Sequence, residues 1–520
     1  MLVVASPGVG SGRAISQNDS DGASAQAGAC EGVGQVPMTG SRTRDASCAA
    51  ETQAQDISTV VTHGSASPPL PPLPSTHPPP PPNGGYGWVC TACVSVINGH
   101  TWGLNSSYGV FLAHYLEEQT FPGATPLEYA FVGSLSISGA LLVSPIATTC
   151  VRRFGTKPTM LAGVVVEAAS LICASFASRI WHLFLTQGVM FGIGMGFLFI
   201  PSVAVVPQWF TTKRSLANGL AACGSGLGGL LYSLAAGAMI RTLGLAWAFR
   251  ILGILAFVVN TACTLVIKDR NKIIGSSQLA FDTTLLKRLE FLLLLGFGWF
   301  SMLGYVVLIF SLANYANRIG LGPSQAALVS AIFNLSQGVG RPLIGYFSDQ
   351  TGRINMAGFT TFLVSVFILT IWINAKSYGL LLFFAVVCGT VAGTFWTTIG
   401  PVIAEVVGLR NVPSGLNLTW LIIALPCLFS EPIALQIIQG TGSYLGAQLF
   451  TGLMYLAAAI CLVAARGWKI GEVDQIAQIL NESPRHIDRV KIENDEELCR
   501  AGRKAGRKRI LASCHRPGRV

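Results

Sequence analysis

Phe291-Leu-Leu-Leu-Leu-Gly-Phe-Gly-Trp-Phe-Ser-Met-Leu-Gly-Tyr-Val-Val-Leu-Ile-Phe310 runs for twenty residues without a charge. At the helical rise of about 1.5 Å per residue it crosses the roughly 30 Å hydrocarbon core of a bilayer. It lies in an apolar segment near 289–316, and eleven further segments of similar length can be marked on either side of it. They fall near 86–113, 127–149, 158–178, 181–206, 215–240, 246–267, 325–348, 355–374, 378–405, 413–438 and 445–467. In lipid, a helix is the open-chain structure that satisfies its own backbone polar groups. The expected fold is therefore an all-α membrane protein of twelve transmembrane helices.

Composition agrees. Of 520 residues 51% are apolar and 11% charged, against about a quarter charged in soluble domains. A water-soluble globule of this size needs more charge to cover its surface, so cytosolic enzymes and nucleic-acid binders are excluded. The net charge of +10 sits largely in short loops and a tail, where membrane proteins keep Lys and Arg. Thirteen Cys is an odd count, and most, such as Cys173, Cys263 and Cys461, sit singly in apolar runs, so no disulfide framework is implied. Cys90 and Cys93 are one helical turn apart and read as small packing residues.

Residues 1–85 are rich in Ser, Gly, Ala and Thr, and ten of the fifteen residues from Pro68 to Pro82 are Pro. Such a stretch cannot bury a core and reads as a disordered cytoplasmic region, a spacer or a docking site for an accessory protein. No cleavable apolar leader is recognised near Met1, so the first spanning helix is expected to bring the chain into the membrane. Twelve Lys or Arg fall on one set of loops, among them Arg152, Arg153, Lys213, Arg270 and Arg410. Five lie on the other side: Arg179, Arg241, Arg250, Arg318 and Lys376. That bias places both termini in the cytoplasm. The longest inner loop, 268–288, divides the spans six and six, giving bundles 86–267 and 289–467. The tail 468–520 carries eight Lys or Arg between Arg500 and Arg519, a solvated segment with an electrostatic affinity for anionic membrane lipid.

The halves repeat. An offset of 197 takes Gly99 to Gly296, Trp102 to Trp299, Tyr108 to Tyr305, Pro145 to Pro342, Gly155 to Gly352 and Gly192 to Gly389. Two parallel six-helix repeats are the architecture of the major facilitator fold, with a substrate site between them near the midplane.

Ionisable residues at membrane depth are costly and mark pathways. Arg341, in the eighth span, is the candidate carboxylate seat, since a guanidinium accepts a carboxylate bidentately. Glu431 in the eleventh span is the candidate proton site, with a packing acid as the alternative. His100, Asn105, Ser106 and Tyr108 form a polar stretch in the first span, and Trp299, Tyr305, Gln337 and Trp396 complete the expected substrate-binding set. The segment Gly345-Tyr-Phe-Ser-Asp349-Gln-Thr-Gly352-Arg353 matches the major facilitator signature loop. Asp349 and Arg353 are expected to cap a helix end and gate one state. Gly224-x-Gly226-x-x-Gly229 fits a dinucleotide pattern but lies inside a span with no preceding strand. No P-loop, catalytic constellation, cofactor or metal site is read.

Two stretches carry a family resemblance. Gly84-Gly85-Tyr86-Gly87-Trp88 opens the first span, with Asn83 where the family has an acid. Trp209-Phe210-Thr-Thr-Lys213-Arg214-Ser-Leu216-Ala217-Asn-Gly219-Leu-Ala221-Ala222-Cys-Gly224 opens the fifth. Over about 83–472 the chain resembles the monocarboxylate transporter family of the major facilitator superfamily, its fungal branch most. The resemblance implies a carrier that handles a monocarboxylate, a vitamin-like compound or another organic anion by alternating access. In the animal lactate carriers an Asp and an Arg one turn apart in the eighth helix, followed by Pro, bind proton and carboxylate. Here Arg341-Pro342 is kept while Gln337 occupies the acid position, and Ser106 stands where those carriers have a Lys. The expectation is thus a secondary active or facilitative transporter of a small organic solute, with a proton as candidate co-substrate. Efflux of a specialised metabolite is the alternative, and a non-transporting nutrient sensor is the reading from another class. The plasma membrane is the expected location, with the vacuolar membrane second.

Overall fold

The computed structural model describes residues 81–276 and 278–482, and every regular element within them is helical. The helical stretches are α1 (86–117), α2 (126–154), α3 (Thr156–Ala174), α4 (Ile180–Gln208), α5 (Arg214–Leu243) and α6 (Leu245–Val266). They continue as α7 (Leu289–Arg318), α8 (Pro323–Thr351), α9 (Arg353–Trp372), α10 (Tyr378–Val407), α11 (Leu409–Thr441) and α12 (Leu445–Glu482). Among the described residues nine of these are long and apolar enough to cross a bilayer, and α2, bent by 41° between Leu142 and Ser144, makes a tenth. α1 is broken by a wide turn over Gly99–Gly103 and a stop at Ser107. α8 carries Gln325, Asn334, Gln337, Arg341 and Asp349 along its length. Both read as poor spans for the same reason: they hold the polar groups of the interior.

Local chemistry sets the ends. Thr125 accepts from the Glu128 N–H while the Glu128 carboxylate accepts from the Thr125 N–H, a capping box that starts α2, with Pro126 in the first turn. Ser377 Oγ accepts from Leu380 N–H at the start of α10, a one-way cap. The turns between α2 and α3 and between α8 and α9 each need one residue of positive φ, and glycine fills both: Gly155 at 91° and Gly352 at 105°. These positions are 197 residues apart, so the sequence offset is also an offset in backbone shape.

Lipid is the solvent for the outer surface. Leu231 and Leu234 are each 65% exposed and Ile460 61%, which a water-soluble protein would not tolerate as a continuous belt. Helix association in such a solvent depends on close packing and small residues rather than on hydrophobic transfer. A Cβ on Gly103 would stand 2.8 Å from the Gly228 backbone, and one on Gly226 would stand 2.7 Å from Gly338 N. The glycines of α5 thus seat it against α1 of its own bundle on one side and α8 of the other bundle on the other.

The expected ends shift where packing outlasts apolarity. α1 runs to 117 rather than 113. α12 continues past 467 to Glu482, because Trp468 and Ile470 stay buried where charges begin. The 268–288 loop contains two single-turn helices, Asn271–Ile274 and Thr283–Leu286. The Pro-rich region up to residue 80 and the basic run Arg500–Arg519 lie outside the described residues. Asn83 N–H donates to Trp209 O, which places the start of α1 beside the α4–α5 turn; this end of the molecule is called the terminal face below.

Candidate functional site: an inter-bundle cavity around Arg341

Asn334, Gln337 and Arg341 follow one another at helical spacings of three and four, so they share a face of α8. That face lines a cavity between the bundles with about 1030 Å³ of space, its open mouth included. The first bundle contributes Asn98, Trp102, Asn105, Ser106, Asn218 and Ser225; the second adds Tyr305, Trp396 and Trp420 to the α8 residues. Arg341 is the single charged residue in a lining of 24.

Arg341 is 5% exposed. One terminal nitrogen, Nη1, donates across the bundle boundary to Ala222 O at 2.7 Å and to Ser225 Oγ. The other, Nη2, donates to Gln337 Oε1 at 3.0 Å and Tyr305 Oη at 3.3 Å. Tyr305 in turn donates to Gln337 Oε1 at 2.8 Å, which fixes the amide. Nε has no partner. Every acceptor is neutral. A buried cation satisfied by dipoles alone retains much of its desolvation cost, and an entering anion relieves it. The side chain has room because residue 393 is glycine: a Cβ there would lie 2.7 Å from Arg341 Nε.

Aromatic rings form the rest of the wall. Trp396 lies 4.9 Å from Trp102 and 6.3 Å from Tyr305 between ring centres, and stacks on Trp420 at 5.8 Å and 17°. Phe199 of the first bundle closes the group at 5.1 Å from Trp102 and 5.3 Å from Trp420. The wide turn in α1 sets Trp102 one turn beyond Asn98, so both reach the cavity.

The expected residues divide. Asn105, Ser106, Tyr305, Gln337, Arg341 and Trp396 line the cavity together. Tyr108 instead donates to Tyr129 O at 2.7 Å inside the first bundle and lines a smaller hollow with Phe111 and Phe249. His100 holds Nδ1 2.9 Å from Val96 O and meets the edge of Tyr232, away from the cavity lining. Trp299 is six residues before Tyr305 on α7, which turns it by about 240° to another face, and it is absent from the lining. Glu431 is buried on α11, where Ser311 Oγ donates to it at 3.2 Å; Cys427, one turn away, reaches the cavity. Glu167 is buried outside it, accepting from Asn260 at 2.9 Å. Asn98, Asn218, Ser225, Asn334 and Trp420 were missed. Asn218 sits inside the Trp209–Gly224 motif, a usable signal. The others are ordinary helix residues whose role depends on which helices meet.

Polar contacts between bundles collect toward the terminal face. Asp349 accepts from Ser215 N–H at 3.0 Å and Leu216 N–H at 2.9 Å, capping α5. Arg353 donates to Thr211 O at 2.7 Å and lies 3.6 Å from Asp349. Asn83 Oδ1 holds the same turn from the other side, accepting from Thr211 N–H at 2.5 Å and Thr212 N–H at 3.1 Å. Asn218 donates to Thr397 O at 2.6 Å. On the opposite flank Thr148 and Ser144 of α2 donate to Asn417 Oδ1 and O at 3.2 and 3.3 Å. Asp349, Arg353, Asn218 and Asn417 thus tie the two bundles together at this face.

The Major Facilitator Superfamily profile matches residues 91–297 and 293–469. The chain belongs to the Major Facilitator Superfamily. Among its relatives within and around this superfamily is "Probable transporter MCH2" of Saccharomyces cerevisiae, 32% identical over 76% of this chain and 85% of that protein. "Agnestins efflux protein AgnL12" of Paecilomyces divaricatus is 26% identical over 70% of this chain and 83% of that one. The facilitator fold is also seen in the solved structure of the transporter FucP in the outward conformation: TM-score 0.57, 13% identity, 73% of this chain and 98% of that chain.

Proposed function

We propose that this facilitator moves a small organic monoanion across a membrane by alternating access, with Arg341 as its seat. One observation carries the reading: a buried guanidinium, the only charge in a cavity between two bundles, held by neutral groups alone. A secondary carrier works by rocking repeats about a midplane site. Arg341 links the site to that movement, because its Nη1 bonds belong to α5 and its Nη2 bonds to α7 and α8. A carboxylate that recruits Nη1 takes it from Ala222 O and Ser225, loosening one tie between the bundles. Asp349, Arg353, Asn218 and Asn417 supply further ties, so they act as the gate at the terminal face. The positive loops support reading that face as cytoplasmic, with the plasma membrane as the proposed location and the vacuolar membrane second.

Glu431 is the proposed proton site. It is a buried acid whose hydrogen-bond donor is a neutral hydroxyl, one turn from a cavity-lining residue. Uptake of radiolabelled organic monoanions into proteoliposomes tests the proposal. Wild type accumulates label, Arg341→Gln does not, and Glu431→Gln exchanges label without responding to a pH gradient. Binding without flux in the wild type would identify a sensor instead. Export is the second reading of direction, favoured by the likeness to the agnestins efflux protein. Preloaded vesicles that release label against its gradient would establish it.

A further inference from the structure

The cavity also restricts what the anion can be. We infer that its ligand is a planar, ring-bearing monocarboxylate with an O–H or N–H on the ring: a phenolic or heteroaromatic acid. This rests on the anion-carrier reading and narrows it. Six of the 24 lining residues are aromatic, Trp102, Phe199, Tyr305, Phe310, Trp396 and Trp420, against 9% of the chain. Flat rings recognise flat rings by offset stacking and edge contacts.

Charge limits the acid to one. The lining holds one cation and no carboxylate, so a second ionised group on the ligand would be buried opposite neutral side chains. The donor requirement comes from Asn98. It is 4% exposed and lines the cavity; its Nδ2 is tied to Ala221 O at 2.8 Å, and its Oδ1 has no partner. A buried unpaired acceptor selects a ligand that brings a donor, since an analogue without one leaves the cost in place. The indole N–H groups of Trp102 and Trp420 are likewise unpartnered and suit a phenolic oxygen, which accepts through its lone pairs while donating its own hydrogen.

The test is competition binding to the full-length protein in nanodiscs, with labelled 4-hydroxybenzoate as probe. The competitors are benzoate, cyclohexanecarboxylate, lactate, terephthalate and 4-hydroxybenzamide. The expected order is 4-hydroxybenzoate tightest, then benzoate, with cyclohexanecarboxylate and lactate weaker by about tenfold or more, as one to two ring contacts imply. Terephthalate and the neutral amide should compete poorly. Trp396→Leu, or Trp102→Leu if that variant folds badly, should cut the ratio of ring-acid to chain-acid affinity by about tenfold; a ratio within one variant is insensitive to the fraction folded. Lactate or cyclohexanecarboxylate binding as well as benzoate would overturn the ring assignment while leaving anion transport intact. Equal binding of benzoate and 4-hydroxybenzoate would remove the donor requirement. If the amide matched the acid, or if no anion bound, the anion-carrier reading itself would fall.

Discussion

In the proposed function a single side chain, Arg341, joins the chemistry to the movement. Its charge is worth a charge-assisted hydrogen-bond pair to a ligand carboxylate, about 1.5–3 kcal/mol. Arg341→Gln should therefore weaken anion binding about 10- to 150-fold, read by titration of the detergent-solubilised protein. Arg341→Lys should recover part of that, since a point charge replaces the fork but reaches fewer of its four acceptors. Ser225 tests the other half of the residue's work. Ser225→Ala removes one bond between the bundles, worth about 0.5–1.5 kcal/mol, without touching the charge. The terminal face should then open more often, by roughly two- to tenfold, seen as faster thiol labelling of a cysteine placed at Leu216, whose side chain takes no part in these ties. Slower labelling would show that the Arg341–Ser225 bond does not hold the closed state.

Helices in this protein are specified as much by their glycines as by their apolar runs. Gly103 and Gly228 let α1 and α5 touch backbone to backbone, and Gly393 clears the space in which Arg341 lies. Gly228→Ala should therefore cost stability in the range of about 1–3 kcal/mol typical of overpacking, measured as a lower melting temperature in detergent. Gly393→Ala acts locally: the helix tolerates alanine, but the added methyl pushes on Arg341 Nε. Anion affinity should drop while the melting temperature hardly changes. An equal fall in both would place Gly393 among the packing glycines. At this scale the sequence was informative about length and period. It was less so about the wide turn at Gly99–Gly103, whereas the bend at Val143 has a local cause, since Pro145 lacks the N–H that would continue the bonding of α2.

For the molecule as a whole, the bundles are tied at the terminal face by a few polar contacts spread across both flanks. Asp349 satisfies two N–H groups at the start of α5, where the helix dipole favours an anion. Asp349→Asn keeps the shape and one acceptor but loses the charge, so the face should open more readily. Spin labels on the α4–α5 and α10–α11 turns should report a larger population of long distances, and the transport rate should change while anion affinity at equilibrium changes by a smaller factor. Unchanged distances would mean that Arg353, Asn218 and Asn417 carry the closure without the Asp349 charge. The resemblance between halves was legible from the 197-residue offset, and Gly155 and Gly352 express it in the backbone. The proposed gate is nevertheless unsymmetric, since the first-half loop lacks an acid and the α11 end is held through Asn417 instead.

The sequence by itself determined the membrane class, the helical content and the candidate cation. Those follow from local quantities: runs of apolar residues long enough for a bilayer, backbone bonds that close within a helix, and a charge too costly to bury without use. Tertiary structure alone decided which polar residues share a cavity. Tyr305 and Gln337 meet Arg341 while His100, Tyr108 and Trp299 do not, because rotation about each helix axis and the crossing of α1, α5, α8 and α10 set the faces that meet. Such rotations follow from packing between helices distant in the chain, through glycines whose contacts no local window contains.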